Sequence, residues 1–245
     1  MVLLRSDGAF PLAQPGEIAL FGSGARHTVK GGTGSGDVNS RHVASIEEGL
    51  EAAGFSIVTR PWLDAYDRVR DHARQDFIAG IRAEAAERGV PAIMVGMGSV
   101  MPEPEYTIPL DVDTDTDPRT AVYVLARISG EGSDRAPEAG DLRLTDTEIR
   151  DILTLNERFE RFLLVLNVGG VVDLSPVEGV TNILLLSQLG ASIGDVFADV
   201  LLGRTYPSGK LAATWAAWDE DDQIGDFGDP DGTHYREGVY VGYRF

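Results

Sequence analysis

Short apolar runs alternate with amphipathic stretches along the whole chain, and that alternation predicts an α/β fold. Glu17 to Phe21 (EIALF) is the first strand-like run and Phe55 to Thr59 (FSIVT) the second. From Ser40 to Gly54 the apolar residues Val43, Ile46, Leu50 and Ala53 recur at helical spacing, Ser45 with Glu48 forms a capping pair, and Gly54 suits the position just past the helix end. Trp62 to Arg88 reads as a long, charged helix with Trp62, Tyr66, Val69, Phe77 and Ile81 as its inner stripe. Its charge run, DRVRDHARQD, is a solvated face rather than a binding surface. Pro91 to Met97 (PAIMVGM) reads as a short strand, and Met101 to Pro118, with four prolines, as a surface loop.

The second half is more strongly apolar. Arg119 to Ile128 (RTAVYVLARI) is a strand, and Thr145-Asp-Thr-Glu148 is a capping box opening a helix that runs through Arg161. Phe162 to Val168 (FLLVLNV) is nearly continuous in apolar character, as expected for an inner parallel strand covered on both faces, and Thr181 to Ser187 repeats the pattern. Gly194 to Leu202 is a helix ended by Gly203, Pro207 and Gly209, and Leu211 to Trp215 reads as a final edge strand. Trp218 to Gly232 is an acidic, Gly-rich loop. The alternating aromatics of Tyr235 to Phe245 close the chain without a stopping signal, which implies a polypeptide cut from something longer. No Ser/Gly-rich or Pro-rich linker interrupts the series, so residues 1–245 read as a single domain.

Composition narrows the function. With 43% hydrophobic residues, 245 residues supply a sizeable core. A formal net charge of -18, from 39 acidic and 21 basic residues, repels nucleic acid and anionic membrane and excludes both as expected partners. Cysteine is absent, which removes disulfides, thiol catalysis and Cys-zinc sites together. The opening Met1-Val-Leu-Leu-Arg-Ser-Asp-Gly is charged too early for a signal peptide, and no apolar run approaches the roughly 20 residues of a membrane helix, so a cytoplasmic chain is expected.

Two glycine-rich stretches carry the candidate chemistry. The strand ending at Ile128 feeds Ser129-Gly-Glu131-Gly-Ser-Asp-Arg135, which sets one carboxylate between two glycines at a sheet's carboxyl edge, where open α/β sheets bind ligands. A solvated acidic loop is the plainer reading of the same residues. The first strand breaks into Gly22 to Asp37, with six glycines in sixteen residues. A dinucleotide fingerprint fails there because its third glycine would fall on His27, and no Gly-Lys-Ser/Thr ends the loop. Contact of the loop with a polyhydroxyl ligand, with Ser35 and Asp37 as hydrogen-bonding side chains, fits as well as a phosphate cradle. Binding of a nucleotide rests only on glycine richness and strand-helix alternation.

Other constellations are thin. Asp111, Asp113, Asp115 and Asp117 alternate but lack the Gly and closing Glu of a calcium loop, so no metal is expected, and no cofactor. His27, His42, His72 and His234 are scattered, with His27 singled out only by its glycine loop. Retaining glycoside hydrolysis needs a second carboxylate about 5–5.5 Å from the first. Asp37 lies in the other loop, and Asp134 is followed by Arg135, whose charge would hold it ionised.

The runs Val2 to Leu12, Lys30-Gly-Gly-Thr-Gly-Ser-Gly-Asp37, Ile128 to Arg135, Asp141-Leu-Arg-Leu144, Pro207-Ser-Gly-Lys-Leu211 and Glu237 to Arg244 resemble the second domain of glycoside hydrolase family 3, the β-glucosidase family. The resemblance covers essentially the whole chain. It implies a three-layer α/β/α sandwich with a mostly parallel sheet, packed in the family beside a TIM barrel that supplies the aspartate nucleophile and most sugar contacts. It implies Glu131 as acid/base and Ser35 as a sugar contact, with Lys30, Gly34 and Asp37 of the same run counted as substrate-binding. No stretch resembles the barrel's nucleophile segment or the fibronectin-like third domain. The expected function is therefore the acid/base-bearing part of a retaining β-glycosidase acting on a β-linked glucoside, inactive until a barrel in the same or another chain completes it. The competing reading is a stand-alone carbohydrate-binding or interaction module that has lost catalysis.

Overall fold

The computed structural model describes residues 1–32, 34, 38–97, 99–109, 119–128, 135–215, 232 and 238–239. Among these residues the chain forms a six-stranded sheet: β1 (Val2–Arg5), β2 (Glu17–Phe21), β3 (Ser56–Ile57), β4 (Thr120–Arg127), β5 (Arg161–Val168) and β6 (Ile183–Leu185). The helices are α1 (Ile46–Ala52), α2 (Arg60–Arg88), α3 (Ala92–Gly96), α4 (Asp146–Arg158) and α5 (Ile193–Leu201). Strand order is β1-β6-β5-β4-β2-β3, and every pairing is parallel except β1 with β6.

The sheet centres on β4 and β5, which stay in register from Thr120↔Arg161 to Arg127↔Val168. Both strands are buried at nearly every position, so helices must cover both faces. On one face α2 sets the edge of Trp62 against Phe21 of β2, with ring centroids 5.3 Å apart at 78°, and α4 lies over Tyr123. On the other, α1 and α5 meet so closely that a Cβ on Gly49 would collide with the Gly194 backbone, and one on Gly194 with the Ser45 carbonyl. The three-layer α/β/α sandwich expected from the sequence is what forms.

The predicted helix starts follow local chemistry closely. Ser45 and Thr145 each accept from the backbone N–H three residues on, and Glu48 and Glu148 reach back to complete both capping boxes. Helix α4 stops at Arg158 rather than Arg161 because Arg161 already belongs to β5. Helix α2 begins two residues ahead of Trp62, with Pro61 in its first turn. Its inner stripe is shorter than the spacing predicts: Trp62, Leu63 and Tyr66 are buried, whereas Val69, Phe77 and Ile81 are only half covered.

Three expectations need correction. Pro91–Met97 is not a strand: Pro91 precedes the short helix α3, and Gly96 comes to rest against Ile81 of α2. Its apolar residues lack the period-2 alternation that seats a strand, and α2 rather than a sheet edge is the surface within reach. Leu211–Trp215 is not an edge strand either. The edge beside β6 is taken by Val2–Arg5, a strand not expected from the sequence, while Ser208 makes only a single bridge to Val2. The second predicted strand, Phe55 to Thr59, shrinks to Ser56–Ile57.

Candidate active-site crevice

From β2 the chain steps outward to β3, then crosses back to β4 and continues to β5 and β6, so the winding reverses between β2 and β4. Loops leaving the carboxyl ends of two such strands diverge and open a crevice. Phe21 pairs with Tyr123 midway along β4, and Ser23 and Gly24 continue beside that strand as far as Ala126. The glycine-rich segment leaves the sheet from β2, and the Glu131 segment from β4.

The first of these segments is fastened at several of its described residues. Gly22 has φ of 92°, and a side chain there would collide with the Val124 carbonyl. That close approach lets Gly24 N–H donate to Val124 O (3.0 Å) and Ser23 Oγ accept from Ala126 N–H (3.2 Å). Thr28 Oγ1 then donates to Gly24 O (2.7 Å) and accepts from Ile46 N–H (3.0 Å), fastening the segment to the start of α1. Asn167, fully buried near the end of β5, accepts from Val29 N–H (2.6 Å) and donates to Val29 O (2.9 Å) and Ser187 O (2.8 Å). Lys30 donates its ammonium to Val38 O, and its carbonyl accepts from Gly190 N–H (2.9 Å). Gly34 is exposed with φ of 78°, while Ser35 and Asp37 lie outside the described residues.

The second segment leaves β4 at Arg127, whose guanidinium is almost wholly buried and bonded to Glu148 (2.6 Å), Asp141 O (3.0 Å) and Ala126 O (2.9 Å). Glu148 is the same residue that caps α4, so one carboxylate fixes the helix start and the strand end together. Glu131 and Asp134 lie outside the described residues. Arg135, the next described residue, pairs with Asp141.

A strap not expected from the sequence lies over the crevice. Residues 99–109 were expected as plain surface loop, yet Thr107 O accepts from Trp62 Nε1 (3.1 Å) and Ile108 N–H donates to Asp151 (3.1 Å). Glu103 receives both Tyr66 OH (2.5 Å) and Arg70 Nε (2.8 Å), and Glu105 receives Thr147 Oγ1 (2.8 Å). Burial, reinforced by the neighbouring Glu103 carboxylate, pushes the Tyr66 phenol far above its ordinary range, so it stays a donor. Trp62 and Tyr66 stack at 5.3 Å with Tyr106 tilted against both, leaving a cavity of about 30 Å³ edged by Gly22, Ser23, Glu103, Arg127 and Glu148. The signal for this strap was Tyr106 and Ile108 amid the prolines, apolar residues that an exposed loop would not retain. The signal for Asn167 was one amide inside an otherwise apolar inner strand, where burial demands partners.

His27 is hydrogen-bonded to a carboxylate rather than standing alone. Its Nε2 lies 2.8 Å from Asp67, which also accepts from Arg26 (2.8 Å), and Arg26 further pairs with Glu47 and Asp64. Among the described residues no group of three or more His, Asp or Glu side chains has the geometry to hold a metal. No described helix is long and apolar enough to cross a membrane.

A mostly parallel open sheet, covered by helices on both faces and reversing its winding between β2 and β4, defines a doubly covered α/β domain. The profile for the glycosyl hydrolase family 3 C-terminal domain matches residues 1–243, and the chain belongs to that family. It is 32% identical to beta-glucosidase A of Butyrivibrio fibrisolvens over 275 aligned residues, covering 100% of this chain and 31% of that protein. It is 31% identical to a beta-glucosidase of Ruminococcus albus, covering 100% and 25%. The solved structure of beta-glucosidase 3B from Thermotoga neapolitana in complex with glycerol superposes with a TM-score of 0.78 at 34% identity, over 99% of this chain and 33% of that one. The chain thus spans a quarter to a third of the length of these relatives.

Proposed function

We propose that this chain is the acid/base-bearing domain of a retaining, β-glucosidase-like glycosidase. The observation that carries the reading is the strand order: β2 and β4 are neighbours and Ser23 and Gly24 follow β4 as far as Ala126, so the chain leading to Ser35 and the chain leading to Glu131 set out from one crevice. Family membership supports the same assignment. Glu131 protonates the departing glycosidic oxygen, then deprotonates the water that releases the sugar. Ser35, with Asp37, Lys30 and Gly34 of the same loop, contacts the sugar. The nucleophilic carboxylate and most of the sugar pocket come from a TIM barrel, in the same or another chain, so these 245 residues alone do not hydrolyse glycosides.

The test is an assay on an aryl β-glucoside, with and without a family 3 barrel. The chain alone gives no turnover above buffer. With the barrel, turnover appears and falls by about 10²–10⁴ in Glu131→Gln. Turnover by the chain alone that disappears in Glu131→Gln would overturn the two-piece reading. Turnover with the barrel that Glu131→Gln leaves intact would remove Glu131 from its role.

A further inference from the structure

Both ends of the segment that carries Glu131 converge on one residue, Asp141. At the near end, Arg127 Nε donates to the Asp141 carbonyl at 3.0 Å. At the far end, Arg135 Nε pairs with Asp141 Oδ1, and Ala136 N–H donates to Oδ2 at 2.6 Å. We infer that Asp141 is a positioning residue for the reaction, a clasp that sets where Glu131 stands relative to the sheet. The inference rests on the acid/base role proposed above for Glu131.

Three observations carry it. Asp141 sits in a fixed frame: its N–H donates to Glu138 O (3.2 Å), Leu142 N–H to Ala136 O (3.2 Å), and Leu142 O accepts from Asp173 N–H (2.8 Å). The near stem is fixed a second time through Arg127 and Glu148 at the cap of α4, and Arg127 is only 4% exposed, so it cannot trade these partners for water. Finally, the far stem is held twice by the one carboxylate, through Arg135 Nε on Oδ1 and Ala136 N–H on Oδ2.

A general acid misplaced by about 1 Å loses on the order of 10²-fold. That loss depends on the leaving group. A poorly departing alkoxide needs the proton, whereas 2,4-dinitrophenolate leaves without it. In the assembly of this chain with its barrel, Asp141→Asn keeps the shape and removes the charge. Its kcat/KM, which covers the steps through cleavage of the glycosidic bond and not the later release of the sugar, falls about 10²-fold on an alkyl β-glucoside and less than about 3-fold on the dinitrophenyl β-glucoside. Equal losses on both substrates, or none, overturn the clasp.

Glu131→Gln run beside it separates the two claims. If Glu131→Gln shows the leaving-group split and Asp141→Asn does not, the clasp alone fails. If Glu131→Gln shows no split, the acid/base role fails and the clasp with it. Should Asp141→Asn not fold, Arg135→Lys, which keeps the charge and loses the fork, undergoes the same comparison. On the chain alone, hydrogen exchange supplies a readout free of activity. Asp141→Asn speeds exchange across residues 128–136 and leaves α4 unchanged, and unchanged exchange across 128–136 overturns the inference.

Discussion

Asn167 shows how one side chain orients a loop. Its amide satisfies the N–H and C=O of Val29 and the C=O of Ser187 at once, at a position with no solvent access. Asn167→Ala leaves three half-buried backbone groups without that partner, where a fully buried orphaned group would cost about 1–3 kcal/mol and a half-buried one less. The expected loss is about 3 kcal/mol in urea unfolding. Asn167→Asp is no milder, since an ionised carboxylate can accept from Val29 N–H but cannot donate to either carbonyl. A loss below about 1 kcal/mol in both variants would mean that Asn167 does not hold the loop. In FLLVLNV the asparagine reads as one polar interruption of an inner strand, which implies that it has partners but not which ones. Sequence gives the residue type, whereas its three partners come from two loops folded in from Val29 and Ser187. Of the candidate site residues, Lys30 and Gly34 fall within this fastened loop or at its edge, and Ser35, Asp37 and Glu131 lie outside the described residues.

At the scale of elements, what the sequence discloses is what neighbours in the chain decide. The boxes at Ser45/Glu48 and Thr145/Glu148 are legible because cap and acceptor are three residues apart. The edge strand Val2–Arg5 is not, because β6 decides it from far along the chain, and the helix Ala92–Gly96 is not, because packing against α2 rather than its own residue spacing decides it. The first box also gives a pH dependence. Backbone donation from Ser45 holds the Glu48 carboxyl below its ordinary 4.5. A depressed folded pKa contributes stability that is present above the ordinary value and lost as pH falls through the folded one. The melting temperature therefore falls as pH drops below about 4.5, and Glu48→Gln, which keeps the shape but not the charge, makes that part of the acid-side slope shallower. Identical slopes in the two proteins between pH 5 and pH 3, on the order of the carboxylate range, would remove Glu48 from the account.

For the whole molecule, the α/β class was legible from alternation, whereas the crevice was not. That β2 and β4 are neighbours is a fact of strand order, and strand order is set by packing across 100 residues of intervening chain, about the separation between Phe21 and Tyr123. The proposed function makes this crevice one wall of a site whose other wall is a barrel, and that has a thermodynamic consequence. A partner that binds only the folded chain stabilises it by mass action, about 2.7 kcal/mol at one hundred times the dissociation constant. For a chain of this size that is roughly 5–10 °C in melting temperature, at about 2–4 °C per kcal/mol. Barrel added in that excess should give such a rise. Glucose or an alkyl glucoside added alone should give none, because the proposed function assigns nearly all of the sugar pocket to the barrel. Glu131→Gln should keep the barrel-induced rise, since docking uses the rim of the crevice and not the acid's charge. A rise with the glucoside alone and none with the barrel would instead mark a self-sufficient carbohydrate-binding module, with both segments at the sheet's edge serving recognition rather than bond cleavage.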